Sequence, residues 1–249
     1  MTDHCELAAE RLARAASVFV LTGAGMSSES GLPTFRGDNG LWEGVPIRQV
    51  CHIETWRENF RAVHDFYDAR RVAEARAEPN AGHRAIASWQ REWPGRVVIL
   101  TQNIDTLLER AGCTDVIHLH GGIRSLHCMA CEHEWEIDAV TYDQSGCPAC
   151  GSRADVKPAV VFFGEMAPRY EDLHEVVRSL RRQDTTIVVG TSGVVLPADR
   201  LFAHSLAHSI LVNLEPANQM DEEAFTERFY GPATKHLPTL TAALRERMD

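Results

Sequence analysis

Six short apolar runs recur along the 249-residue chain: SVFVLT (17–22), RVVIL (96–100), VIHLH (116–120), AVVFF (159–163), TTIVVG (185–190) and SILVNL (209–214). Each is too short for a free-standing helix and rich in valine and isoleucine, as strands buried on both faces are. Helical patterns at 80–92, 105–111, 170–182 and 198–207 separate them. Strands alternating with helices predict an α/β fold with a parallel, doubly wound sheet, in which ligands bind beyond the carboxyl ends of the strands.

Two stretches, 37–79 and 122–157, break the alternation. They are expected to form a smaller domain, helical in the first part and metal-bound in the second, set into a sheet domain made of 1–36, 80–121 and 158–249. Within the first, ETWRENFRAVHDFYDARRVAEARA (54–77) reads as one helix whose apolar stripe passes through Trp56, Phe60 and Val63. Continued by the same steps it reaches Tyr67 and Arg70, two polar groups on an inward face. The closing PTLTAALRERM (238–248) reads as an amphipathic helix.

A formal charge of -10 argues against broad binding to nucleic acid, and basic peptides are easier partners. MTDHCELAAERLARAASVFVLTGAG places acids before bases and ends its short apolar run in glycines, so it fits neither a secretory signal nor a membrane span. A cytoplasmic location is expected, and no feature specifies an oligomeric state. Cys5, Cys51 and Cys113 stand alone. Cys128, Cys131, Cys147 and Cys150 form two C-x2-C pairs, a spacing that closes a tetrahedron around zinc. Four thiolates leave no open coordination position, so such a zinc is structural; disulfides and a nucleic-acid-binding zinc ribbon are the alternatives.

VFVLTGAGMSSESGLPTFRG (18–37) runs from a strand straight into Gly23, Gly25 and small hydroxyl residues. That composition suits a nucleotide phosphate at a helix start, although Gly31 comes too late for the usual G-x-G-x-x-G spacing. TQNID puts Gln102, Asn103 and Asp105 after a strand, as ligand groups or as a helix cap and its neighbour. VIHLHGG puts His118 and His120 on one side of a strand, with His120 at its end as a candidate general base.

Together GAGMSSESGLPTFR, TQNID, HLHG, the two CxxC pairs, VVFFGE, GTS (190–192) and NLE (213–215), in that order, resemble the sirtuin family of NAD-dependent protein lysine deacylases. The resemblance implies a Rossmann-like domain with a smaller zinc and helical domain. It implies NAD contacts from the stretch Gly23 to Trp42 (Gly23, Ala24, Gly25, Ser27, Phe35, Arg36 and Trp42). Further NAD contacts are implied for Gln102, Asn103 and Asp105, for Gly190, Thr191 and Ser192, and for Asn213, Glu215 and Ala233. His120 matches the catalytic base, with Asn103 beside it in the catalytic set. In that chemistry the acyl-lysine oxygen attacks the nicotinamide ribose carbon, nicotinamide leaves, and the histidine deprotonates a ribose hydroxyl so that the acyl group passes to ADP-ribose. VVFFGE would pair an extended acyl-lysine peptide, with Val161 and Phe163 lining the lysine channel.

Tyr67 and Arg70 also match the tyrosine and arginine that line the acyl pocket in the branch of sirtuins removing succinyl and malonyl groups. A guanidinium makes paired, charge-assisted bonds to a carboxylate, and a phenol adds a third. Helical geometry alone does not choose between Arg70 and Arg71, and a snorkelling arginine is the plain alternative. Leu108 stands where many sirtuins have histidine. Other readings of the same residues are a protein ADP-ribosyltransferase and a non-catalytic NAD sensor.

Overall fold

The computed structural model describes residues 3–34, 41–93 and 96–247. The elements are α1 (Asp3–Arg14), β1 (Val18–Thr22), α2 (Gly25–Ser28), β2 (Leu41–Trp42), β3 (Val45–Pro46), α3 (Ile47–Val50), α4 (Phe60–Arg76), α5 (Ala81–Glu92), β4 (Val97–Thr101) and α6 (Leu107–Arg110). They continue with β5 (Ile117–His118), β6 (Gly121–Cys128), β7 (Glu134–Glu136), β8 (Val156–Val160), α7 (Tyr170–Ser179), β9 (Thr185–Val189), β10 (His208–Asn213), β11 (Glu227–Tyr230) and α8 (Ala233–Arg245).

Six strands form a parallel sheet in the order β11-β10-β9-β1-β4-β5. Successive side chains of a strand point to opposite faces. Val18 and Val20 of β1 therefore enter one core with Ile187, Val189, Ile210 and Val212, under α1, α5 and α8. Phe19 and Leu21 enter the other, with Val188, Leu211, Leu173 of α7 and Phe202. Apolar residues on both faces explain why these strands read as unbroken hydrophobic runs. The chain winds outward from β1 through β4 to β5, then returns to β9 on the other side of β1. The strand order thus reverses between β1 and β9, the position at which open α/β sheets hold ligands.

One expected strand belongs elsewhere. The run read at 159–163 overlaps only the end of β8 (Val156–Val160), which pairs antiparallel with β6 in a three-stranded sheet, β7-β6-β8, outside the parallel sheet. Burial explains the confusion, because Val160 and Phe162 fill a third core with Val63, Phe66 and Tyr67 of α4, and a buried run looks alike in either sheet. The helix read from residue 54 begins only at Phe60. The chain before it is pinned to the segment after β8 by Phe163 N–H to Cys51 O and Ile53 N–H to Phe163 O, both 3.0 Å, which holds it out of helical geometry. His120 follows β5 in a turn instead of ending a strand, and β11 carries no signal that was read from sequence.

Leu108 is buried in the core beneath the sheet. Cys5, Cys51 and Cys113 are free and buried. Among the described residues no helix is long and apolar enough to cross a membrane.

Candidate active site

A cleft of about 1690 Å3 lies between the carboxyl ends of β1, β4, β9 and β10 and the part of the fold built from α4, β6 and β8. The glycines at the head of α2 serve loop packing first. A Cβ on Gly25 would stand 2.8 Å from Gly190 Cα, and one on Gly190 only 2.4 Å from Met26 N. The 23–25 and 190–192 loops therefore close on each other at the switch point, with Gly190 in the left-handed region at φ +64°. Asn80 holds this corner. Its side-chain oxygen caps α5 through Gly82 N–H (2.9 Å), while its amide donates to Met26 O (2.9 Å).

Side chains from separate strand ends meet in one network. Ser27 Oγ donates to Asp105 Oδ2 (2.9 Å) and accepts from Asn103 Nδ2 (3.1 Å). Gln102 Nε2 donates to Thr191 Oγ1 (3.1 Å), and the Asn213 amide brackets the Thr191 peptide group, accepting from its N–H (3.1 Å) and donating to its oxygen (2.9 Å). Asp105 Oδ1 accepts from Leu107 N–H (3.1 Å) at the head of α6, whose N-cap position is Thr106. Burial raises the Asp105 carboxyl, against the lowering effect of the bonds from Leu107 and Ser27.

Two histidines two residues apart are driven in opposite directions. Burial pulls His118 down, but its 2.7 Å contact with Glu109 and that residue's charge outweigh it and raise the imidazole above 6.5. Burial lowers His120, and only its bond to Gln102 O opposes the shift. Because Gln102 O can only accept, Nδ1 of His120 carries the proton (3.0 Å) and Nε2 keeps its lone pair. A neutral imidazole whose Nε2 keeps a lone pair, here accepting from the Tyr170 hydroxyl (2.9 Å), is the form a general base needs. His118 Nδ1 likewise donates to Asn103 O (2.9 Å), which fixes the neighbouring turn.

The structure separates Arg70 from Arg71. Arg71 is fully buried and bonds to Asp68 and to Ile123 O (3.1 Å), joining α4 to β6. Arg70 lines the cleft. Its guanidinium lies over Phe66 (3.0 Å to the ring centroid) and Trp42 (4.8 Å), donates to Phe66 O (2.8 Å) and pairs with Glu43. Burial brings it down to about 10 against the opposing pull of Glu43, so it is cationic at neutral pH. Tyr67 does not line the cleft. It is fully buried, stacks on Phe162, and donates to Cys51 Sγ (3.4 Å), which itself forms part of the cleft wall.

Gly23, Ala24, Gly25, Ser27, Trp42, Gln102, Asn103, Asp105, His120, Val161, Phe163, Gly190, Thr191, Ser192, Asn213 and Glu215 all line the cleft. Ala233, at the head of α8, lies outside its lining, and Phe35 and Arg36 lie outside the described residues. The N–H groups of Val161, Phe162 and Phe163 are taken by His120 O (3.0 Å), Glu165 (2.6 Å) and Cys51 O (3.0 Å). Pairing of VVFFGE with a peptide backbone therefore cannot use these three donors. Sequence reasoning missed Glu43, Glu74 and Tyr170, which also line the cleft. Glu74 is buried and accepts from Thr106 and from Arg124 Nε (2.9 Å), tying α4 to the loop after β4. Their partners lie 27 to 50 residues away, beyond any periodic signal.

Away from the cleft, the sulfurs of Cys128, Cys131, Cys147 and Cys150 lie within 4.8 Å of one another. Cys128 faces Cys150 and Cys131 faces Cys147, each at 3.6 Å. These separations are far from the roughly 2.05 Å of a disulfide and near the roughly 3.8 Å between sulfurs tetrahedral around zinc at about 2.3 Å. The donor set fits a closed structural zinc.

The model of the Sir2 family matches residues 23–197. The NAD-dependent protein deacylase of Helicobacter hepaticus is 36% identical over 247 residues, covering 91% of this chain and 96% of that protein. A Sir2 homologue solved in complex with NAD superposes with a TM-score of 0.86 at 32% identity, over 98% of this chain and 95% of that one. A relative solved with a myristoylated histone peptide gives 0.76 at 31% identity, over 100% and 99%.

Proposed function

Since the chain belongs to the Sir2 family and is an NAD-dependent protein deacylase, we propose that its acyl substrates include lysines bearing a terminal carboxylate, succinyl or malonyl, besides acetyl-lysine. The observation that carries the finer reading is Arg70: a cationic guanidinium on the cleft wall, held from behind by Phe66 and flanked by two rings. Its Nε is buried and has no hydrogen-bond partner among the described residues. A planar fork with an unspent donor suits a carboxylate better than it suits a methyl group. Tyr67 contributes from behind the wall, by packing and through Cys51.

NAD supplies the ribose carbon that receives the acyl oxygen as nicotinamide leaves. Around it, Asn213 and Gln102 hold the 190–192 loop, and Ser27 fixes the Asp105 and Asn103 side chains by opposite ends of one hydroxyl. Asp105 keeps lone pairs for a carboxamide donor. His120 takes a proton at Nε2, and the imidazolium so formed remains hydrogen-bonded to Gln102 O through Nδ1. The four-cysteine zinc supports β6 and the segment leading into β8, and no step of the chemistry falls on it. Cytoplasmic residence without a stable nucleic-acid partner accords with the free cysteines and the charge of -10.

Turnover of one peptide carrying acetyl-lysine or succinyl-lysine tests the reading. Arg70→Met should lower the ratio of succinyl to acetyl kcat/KM by about tenfold or more, as expected when a charged hydrogen bond is lost. An unchanged ratio would return Arg70 to packing.

A further inference from the structure

We propose that Glu43 is a specificity-determining residue: an internal carboxylate that occupies the Arg70 guanidinium and must be displaced by an acyl group carrying its own carboxylate. The inference rests on the assignment of Arg70 to the acyl pocket and names what regulates that pocket.

Glu43 sits in the two-residue turn between β2 and β3, where Trp42 pairs with Val45. Both turn residues have positive φ, +50° at Glu43 and +78° at Gly44. Such turns favour Asn-Gly or Asp-Gly, and a glutamate in the left-handed region is strained. The hairpin thus holds an unfavourable residue in the position from which it reaches Arg70, and strained backbone of this kind concentrates at functional sites.

The two partners differ in how firmly they are held. The Arg70 side chain is only 11% exposed, bonded to Phe66 O and placed over two rings. The Glu43 side chain is 32% exposed on a turn, and Arg70 is its recorded ion-pair partner. When another carboxylate arrives, the glutamate is the partner that can swing into water. Nη1 of Arg70 donates to Phe66 O and Nη2 to Glu43, and among the described residues only Nε of the three nitrogens is unspent, so the paired contact of an acyl carboxylate competes with Glu43 for Nη2. An acetyl group makes no such demand and leaves the ion pair intact. Glu43 therefore taxes carboxylated acyl groups selectively, and the balance between acyl classes depends on it.

The experiment compares parent, Glu43→Gln, Glu43→Ala and Arg70→Met on acetyl-lysine and succinyl-lysine forms of one peptide. Both Glu43 variants should raise the succinyl-to-acetyl ratio of kcat/KM by about threefold or more, through a lower KM for the succinyl peptide, as expected on removing a partly screened competing charge. A ratio that stays constant or falls in both variants would overturn the proposal, showing that Glu43 orients Arg70 or is idle. Arg70→Met separates the two layers. If it leaves the ratio unchanged, the carboxylate reading of Arg70 fails and the role of Glu43 falls with it. If it collapses the ratio while the Glu43 variants do not raise it, only the competitor role is lost.

Discussion

The Tyr170 hydroxyl donates to Nε2 of His120 at 2.9 Å, occupying the lone pair that His120, as the proposed general base, would offer to a ribose hydroxyl. Tyr170 opens α7 and lines the cleft beside His120.

With His120 as the proposed base, productive binding of NAD would displace this hydrogen bond. Tyr170→Phe should therefore raise kcat/KM for NAD by about threefold to tenfold, the range set by a net neutral hydrogen bond of about 1 kcal/mol. Steady-state kinetics with NAD varied would check it. A fall of tenfold or more in kcat would instead make the hydroxyl a participant in the chemistry.

The acid limb of the pH profile follows from the state of His120. Only neutral imidazole accepts the proton, and burial lowers its pKa below 6.5. Activity should be full at neutral pH and fall as pH drops through a half-point below 6.5. A half-point above 7 in kcat/KM for the acyl peptide would contradict the assignment.

Gly190→Ala tests the closure of the 23–25 and 190–192 loops, which are proposed to hold NAD. The added Cβ would stand 2.4 Å from Met26 N and 2.7 Å from the Gly25 carbonyl carbon, both backbone atoms with little room to move. NAD affinity, measured by calorimetry, should drop about tenfold or more, a cost near 1.4 kcal/mol. Retention of parental affinity would show that these loops do not form the binding wall.

Metal analysis should find one zinc per chain. Cys147→Ser should remove most of it and lower Tm by about 10 °C, because metal binding contributes directly to folding and each kcal/mol shifts a chain of this size by about 2–4 °C. Full stability without zinc would refute a structural role.

Five strands of the parallel sheet were legible: β1, β4, β9 and β10 because burial on both faces writes an unbroken apolar run, and β5 as a shorter strand inside the run at 116–120. The same rule misled at β8, where burial comes from α4 instead of the sheet layers. β11 was unread, since ERFY sets two charged residues before two aromatics and forms no apolar run. The cysteine set was legible because its ligands are close in sequence. Helical spacing brought Tyr67 and Arg70 to one face, but it could not show that Tyr67 would point at Cys51 and Arg70 at the cleft. Glu43 and Tyr170 carried no signal, because each acts on a residue brought near only by tertiary folding.

The most direct measurement follows nicotinamide release and deacylation together, in the parent and in His120→Ala, with NAD binding read by calorimetry. The parent should release one nicotinamide per acyl group removed, and His120→Ala should bind NAD yet lose deacylation by about a hundredfold or more, within the range for general base catalysis. Unchanged deacylation in His120→Ala, or nicotinamide released with the ADP-ribose left on protein, would contradict the account.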